Sequence, residues 1–196
     1  RVRSSAASDV YKRQILSSCA ARQLEEVTFR RTTIPVQELF DAAGKYFRKV
    51  MKNRMEKIEL IMEPMEAKVI GDVNQLRFLF ENLIDEALAV HEEGVIRLQA
   101  RKDNEYVRFL FTDTRREKSV TELNQLFYPN LARMTSGEKG ELRGTEYLIC
   151  KQIIRDHDEF AGRRGCRINA EPAEGGGFTV YFTIPVSYTH LTLPTI

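Results

Sequence analysis

The stretch DVNQLRFLFENLIDEALAV, residues 72–90, decides the fold class because it predicts one long amphipathic helix. Asp72 followed by Gln75 is a helix-start signature, in which the carboxylate accepts a backbone amide and the glutamine side chain reaches back. Gly94 then suits a turn. Apolar residues recur every three or four positions and so share one face: Leu76, Leu79, Phe80, Leu83, Ala87 and Val90.

Upstream of this helix, the sequence predicts a strand, a helix and a pair of short strands. Residues 27–31 favour a strand, and Pro35 suits the first position of a helix. Residues 58–62 and 67–70 read as strands on either side of a turn at Pro64. The apolar face of the predicted helix comprises Val36, Leu39, Phe40, Ala43, Phe47 and Val50.

Downstream, alternating apolar positions at 96–100 and 107–111 predict a hairpin, and residues 120–126 predict a brief helix. A helix from Tyr147 and a last hairpin across three consecutive glycines, 175–177, complete the order. Strands grouped in hairpins beside separate helices predict an α+β fold. We therefore expect a two-layer α/β sandwich, with a mixed, mostly antiparallel sheet packed on about three helices.

Composition predicts one principal soluble domain. The 196 residues are 42% hydrophobic, and 30 basic against 28 acidic side chains leave a formal charge of +2. This balance gives no strong field for nucleic acid or an anionic membrane, so neither is an expected partner. No apolar stretch approaches the roughly 20 residues that span a bilayer. Three widely spaced cysteines favour a reducing cytoplasm. Three scattered histidines argue against a histidine metal site.

Four short segments carry a resemblance to a known family: NLIDEA (82–87), DTRRE (113–117), FYP (127–129) and GTEYLI (144–149). With the order of predicted elements, they resemble the catalytic ATP-binding domain of sensor histidine kinases, shared with gyrase, the heat-shock chaperone and mismatch-repair ATPases. The resemblance runs from about residue 27 to 185, and it implies that the strands at 58–62 and 67–70 pair as a hairpin. It implies the histidine kinase ATPase fold, as at the C-terminus of bacterial sensor-kinase-like proteins, with ATP and Mg²⁺ as cofactors.

The first segment resembles the family's NLxxNA motif, whose second asparagine coordinates magnesium. Asn82 matches the first asparagine, and Glu86 stands at the second. The resemblance implies that both residues contact the cofactor, with Glu86 as the Mg²⁺ ligand. A glutamate is a hard oxygen ligand, but it adds negative charge beside a triphosphate. The alternative is that Asn82, Asp85 and Glu86 only form the polar face of the helix.

The second segment resembles the DxGxG motif, in which the aspartate receives the adenine amino group. Asp113 is kept, whereas Arg115 and Glu117 stand at the two glycine positions. The resemblance therefore implies that Asp113 binds adenine while the loop changes shape. The alternative reading of Asp113 is a turn former at the end of a strand.

The last two segments flank a predicted ATP lid, residues 130–143. The resemblance implies that Gly144 and Thr145 contact the phosphates, as the family's GxGLxI motif does. Glu146 stands at the second glycine. A carboxylate at a helix start repels phosphate, although it is comfortable there beside the helix dipole when no phosphate is bound.

These departures leave three functions open. The preferred one is a degenerate module, a pseudokinase retained for nucleotide sensing or docking in two-component signalling. The second is an active kinase that transfers the γ-phosphoryl group of ATP to a histidine on an upstream dimerisation domain. The third is a ligand-free interaction domain. The implied partners are upstream dimerisation and sensor domains of the same protein, a response regulator or kinase, and a second copy joined through the missing region.

Four segments follow from this interpretation. Residues 1–14 and 187–196 show neither periodicity nor caps and resemble translated sequencing-adaptor tails, so we expect them to be non-native. Residues 15–26 are mildly helical and are expected to be the end of an upstream dimerisation region. Residues 27–186 are the expected ATPase-type domain.

Overall fold

Seven strands and four helices lie within residues 29–128 and 145–188, the part of the chain that the computed structural model describes. In chain order they are β1 (Thr32–Pro35), α1 (Val36–Met51), β2 (Ile58–Glu63), β3 (Lys68–Gly71), α2 (Val73–Leu88), β4 (Gly94–Asp103), β5 (Tyr106–Asp113), α3 (Val120–Asn124), α4 (Glu146–Phe160), β6 (Ile168–Pro172) and β7 (Phe178–Pro185).

The main sheet has five strands in the order β2-β4-β5-β7-β6. Strands β2 and β4 run parallel, while the β4–β5, β5–β7 and β6–β7 pairs are antiparallel. Strands β1 and β3 form a separate antiparallel pair. The predicted α+β sandwich with a mixed, mostly antiparallel sheet is therefore confirmed.

The core lies between the sheet and helices α1, α2 and α4. Phe109 of β5 stacks on Phe182 of β7 with ring centroids 5.0 Å apart. Phe80 of α2 meets Phe109 edge-on at 5.8 Å, and Phe40 of α1 lies 6.3 Å from it. The predicted apolar faces of both helices thus meet on one pair of central strands, because alternation turns every second strand residue toward them.

Two short strands were predicted around Pro64, and the resemblance implied that they pair as a hairpin. The strands exist, but that pairing is wrong. Strand β2 pairs with β4, and β3 pairs with β1. Alternation shows which face of a strand is buried, but it does not specify which strand lies beside it.

Details at the helix starts also differ from the predictions. The side chain of Asp72 caps α2 as predicted, accepting from the backbone N–H of Asn74 at 3.0 Å and of Gln75 at 3.1 Å. Gln75 does not complete the reciprocal cap, since its buried Oε1 has no hydrogen-bond partner among the described residues. Residues 29–31 are not in a strand, because β1 begins at Thr32, and Pro35 is the N-cap of α1 rather than its first residue.

The proposed segment boundaries stay predictions. Residues 1–28, 129–144 and 189–196 lie outside the described part of the chain, and they include the predicted upstream helix and the predicted lid. Ser187 is described, and its backbone N–H donates to the carbonyl of Lys68 at 2.8 Å. Within the described ranges, no helix combines the length and apolar character that crossing a bilayer requires.

Candidate functional site

Asp113 ends β5 with 1% of its surface exposed, and both of its carboxylate oxygens accept hydrogen bonds. Oδ1 accepts from the backbone N–H of Arg115 at 3.0 Å and from its Nε at 2.9 Å. Oδ2 accepts from Nη2 of Arg115 at 3.0 Å and from Nε of Arg116 at 3.1 Å. The carboxylate is therefore buried, paired with two cations and engaged on both oxygens.

The Arg115 guanidinium is also buried, with 1% of its side chain exposed. Beyond its bidentate pairing with Asp113, it donates from Nη2 to the carbonyl of Ala87 at 2.6 Å and from Nη1 to that of Glu92 at 2.8 Å. These carbonyls belong to the last turn of α2 and to the loop after it. Arg115 therefore joins the end of the helix to the end of β5.

Gly94 makes room for this arginine. A β-carbon at Gly94 would lie 2.8 Å from Cγ of Arg115, and its φ of 138° is one that L-residues rarely adopt. Arg115 stands at a glycine position of the family's motif. The available signal was an arginine two residues after a strand-ending aspartate, which is close enough for a local ion pair.

Glu86 lies on α2 beside this cluster, and Asn82 lies one helical turn before it. Asn82 is 6% exposed, and its Nδ2 donates to the carbonyl of Phe78 in its own helix at 2.7 Å. The half-buried Glu86 accepts at its backbone carbonyl from Nη2 of Arg116 at 3.5 Å. One guanidinium thus spans from α2 to Asp113, so the helix and the strand end are neighbours.

The start of α4 closes another side of the cluster. Burial raises the pKa of Tyr147 well above its usual value, and the negative charge of Glu86 raises it further. Thr145 is the N-cap of α4, in helical conformation and without a side-chain cap bond, and Glu146 lies in the first turn. Gly144 lies outside the described residues.

Phe127 and Tyr128 anchor the segment before the predicted lid on α4. The ring of Phe127 meets Tyr147 edge-on with centroids 5.8 Å apart. Nζ of Lys151 lies 4.2 Å from the ring centre of Tyr128, a cation–π contact. Pro129 and the lid lie outside the described residues, so the lid assignment stays a prediction.

The described arrangement does not fit adenine at Asp113. An aspartate that receives the adenine amino group needs a free acceptor, whereas here four donors from two arginines already occupy the carboxylate. For Mg²⁺, Glu86 would supply one oxygen ligand, but no group of three or more His, Cys, Asp or Glu side chains that could hold a metal occurs in the described ranges.

Known proteins show where this fold belongs. The sequence pattern of the histidine kinase-, DNA gyrase B- and HSP90-like ATPases matches residues 71–188. The mycobacterial sensor histidine kinase MprB is 18% identical with a TM-score of 0.60, over 80% of this chain and 98% of that one. The histidine kinase ThkA, solved in complex with the response regulator TrrA, is 18% identical with a TM-score of 0.66, over 92% and 49%.

Full-length ShkA in complex with AMPPNP is 16% identical with a TM-score of 0.63, over 84% of this chain and 32% of that one. No curated protein matches the chain in sequence. At these identities, the solved structures show a shared fold. Since the family's pattern covers more than half of the chain, the protein belongs to the family of histidine kinase-, DNA gyrase B- and HSP90-like ATPases.

Proposed function

We propose that the chain is the C-terminal ATP-binding-type domain of a bacterial sensor histidine kinase-like signalling protein, and that it is a pseudokinase whose role is docking. The observation that carries the proposal is the buried Arg115 guanidinium on Asp113. A bound adenine would donate its amino group to Asp113, but the Arg115 guanidinium already donates to this carboxylate.

Releasing Asp113 for a nucleotide has an energetic cost. Breaking a buried, hydrogen-bonded ion pair costs about 3–5 kcal/mol, because it leaves an uncompensated charge in a low-dielectric site. Arg115 would also lose its bonds to two carbonyls. A penalty of roughly 3–5 kcal/mol weakens an affinity about a hundredfold to a few thousandfold, which strongly disfavours nucleotide binding.

The charges near the expected phosphate position also argue against ATP binding. Phosphoryl transfer in enzymes depends on positioning and on neutralising the phosphates. Here Glu146 lies in the first turn of α4, where the helix dipole would otherwise favour an anion, and the negative charge of Glu86 acts on Tyr147 in the same turn. Both carboxylates would repel a triphosphate, so we infer that the domain transfers no phosphoryl group.

The proposed partners are the upstream dimerisation and sensor domains and a response regulator or kinase, within the cytoplasm. The ThkA structure contains a response regulator, which makes that class the first to test. A docking role needs only a rigid surface. We therefore propose that binding to such partners does not depend on nucleotide.

Thermal unfolding of the chain with millimolar ATP or ADP, with and without Mg²⁺, tests the proposal. A ligand that prefers the native state must raise the melting temperature, so we expect no shift. The matched control restores glycine at the three departures, as Arg115→Gly, Glu117→Gly and Glu146→Gly together, and we expect a shift to emerge there.

A nucleotide shift in the unaltered chain would contradict the proposal. Phosphotransfer from ATP to a supplied dimerisation domain would then separate an active kinase from a nucleotide sensor. If the unaltered chain shows no shift, binding of a dimerisation domain or response regulator without nucleotide distinguishes docking from a domain with no partner of this kind.

A further inference from the structure

The atoms around the Arg115 guanidinium form a closed set, which we call the acceptor cage: both carboxylate oxygens of Asp113 and the carbonyl oxygens of Ala87 and Glu92. We propose that the acceptor cage is a binding site for planar guanidinium cations, and that Arg115 is its internal ligand. This goes beyond the proposed function, because it concerns what the site recognises rather than whether nucleotide binds.

The geometry of the acceptor cage matches a guanidinium. Nε and Nη2 of Arg115 lie 2.9 and 3.0 Å from the two oxygens of Asp113, the paired arrangement that a planar fork makes with a carboxylate. Nη2 also donates to Ala87 at 2.6 Å, and Nη1 donates to Glu92 at 2.8 Å. Four of the five N–H donors are therefore used.

The acceptor cage discriminates by chemistry because it contains only acceptors. An ammonium ion is compact and carries three donors in a tetrahedral arrangement, so it cannot span these oxygens in one plane. Adenosine brings a single amino group to these oxygens, so it leaves carbonyl oxygens of the cage unpaired that a guanidinium would satisfy, and it lacks the phosphates that the glycine-restored variant would hold. A guanidinium pairs with all four oxygens.

The acceptor cage also joins distant parts of the chain. Ala87 is in the last turn of α2, Glu92 follows the helix, and Asp113 ends β5. One buried side chain bonded to all three ties the helix end to the sheet. Removing the side chain leaves a cavity and an acidic group whose remaining cationic partner among the described residues is Arg116, at 15% side-chain exposure.

Rescue of Arg115→Ala by a small cation tests this inference. We expect the variant to melt at a lower temperature than the unaltered chain, and millimolar methylguanidinium to recover at least half of the loss with saturation. Methylammonium and adenosine should not. Arg116→Ala is the matched control: it removes another cation from Asp113 but leaves Arg115 in the acceptor cage, so methylguanidinium should not stabilise it.

Rescue by adenosine instead of methylguanidinium would overturn the inference, and so would equal rescue of both variants. If Arg115→Ala does not fold, refolding in methylguanidinium replaces melting as the readout, and failure to refold there counts against the acceptor cage. These outcomes do not depend on whether nucleotide raises the melting temperature of the unaltered chain. Each proposal can therefore be contradicted without the other.

Nitrogen-edited NMR of the unaltered chain gives a second measurement. A buried guanidinium held by four acceptors should show one arginine Nε–H signal that exchanges with water far more slowly than those of exposed arginines such as Arg101 and Arg155. That signal should vanish in Arg115→Ala and persist in Arg116→Ala. Rapid exchange at Arg115 Nε would refute the internal-ligand assignment.

Discussion

The backbone N–H of Asp72 donates a hydrogen bond to Nε2 of His157 at 3.1 Å, although the two residues are 85 positions apart. The imidazole is fully buried, and its Nδ1 lies 2.8 Å from the carbonyl of Ile153. The tautomer with the proton on Nδ1 satisfies both contacts, so the ring is neutral. Phe29 meets it edge-on, with centroids 4.9 Å apart. The hydrogen bond between Asp72 and His157 holds the start of α2 against α4.

Stability should fall in mild acid because of this histidine. Burial lowers the pKa of His157 below its ordinary 6.5. The unfolded chain therefore takes up a proton near pH 6.5 that the folded chain resists, so stability is fully present above that pH. It is lost as the pH falls toward the folded-state pKa, by about 1.4 kcal/mol for each unit of pKa lowering.

Urea unfolding between pH 7.5 and about pH 5, above the range where unperturbed carboxylates titrate, measures this effect. His157→Gln serves as the control, because it keeps a polar side chain that does not titrate. We expect the slope of stability against pH to be smaller in that variant. An identical slope in both proteins would show that other groups carry the pH dependence.

The cap of α2 should depend on Asp72 and not on Gln75. Asp72→Ala removes the acceptor for two helix amides and for the backbone N–H of Arg30 at 2.9 Å, and we expect a loss of about 1–2 kcal/mol. Gln75→Leu should cost little, because it removes a buried oxygen with no described partner. Chemical denaturation compares the two variants. Equal losses of stability would contradict a cap made by Asp72 alone.

The charge pairing of Asp113 should be worth more to stability than an exposed ion pair. Asp113→Asn leaves the buried Arg115 guanidinium without its counterion, so we expect a loss of about 3–5 kcal/mol. In Asp113→Asn with Arg115→Met, the stranded charge is also gone, and the loss should be smaller than in the single variant. A double-mutant cycle by urea unfolding measures the coupling, and strict additivity would argue against it.

Two glycines of the last hairpin should differ sharply in their tolerance of alanine. Gly175 and Gly177 both have positive φ, 89° and 83°. A β-carbon at Gly177 would lie 2.1 Å from the carbonyl oxygen of Asp113, whereas none of the described atoms lies within 4 Å at Gly175. Gly175→Ala should cost about 1 kcal/mol from backbone strain alone. Gly177→Ala should cost clearly more, and thermal melting that gives equal losses would contradict the steric argument.

The elements followed from the sequence, but two of their pairings did not. The helical face of residues 76–87 and the alternation in β4 and β5 are local patterns, and each predicts which side of an element is buried. The partners of β2 and β3 depend on contacts between segments far apart in the chain. Nothing in residues 58–71 indicates that β2 should pair in parallel with β4.

The candidate site was also only partly predictable. The sequence drew attention to Asp113, Asn82 and Glu86, and they lie on neighbouring elements. Which groups engage Asp113 was decided by the folded chain, because the direction of the Arg115 side chain depends on the space at Gly94 and on the carbonyls of α2.

The amino-acid sequence by itself determined the α+β class, the order of the helices and the family, since these depend on periodicity and on short motifs. The tertiary structure alone decided that Arg115 turns inward and bonds Asp113. A buried carboxylate must find donors, and the nearest donors in this fold are its own chain's guanidinium groups rather than those of a diffusible ligand.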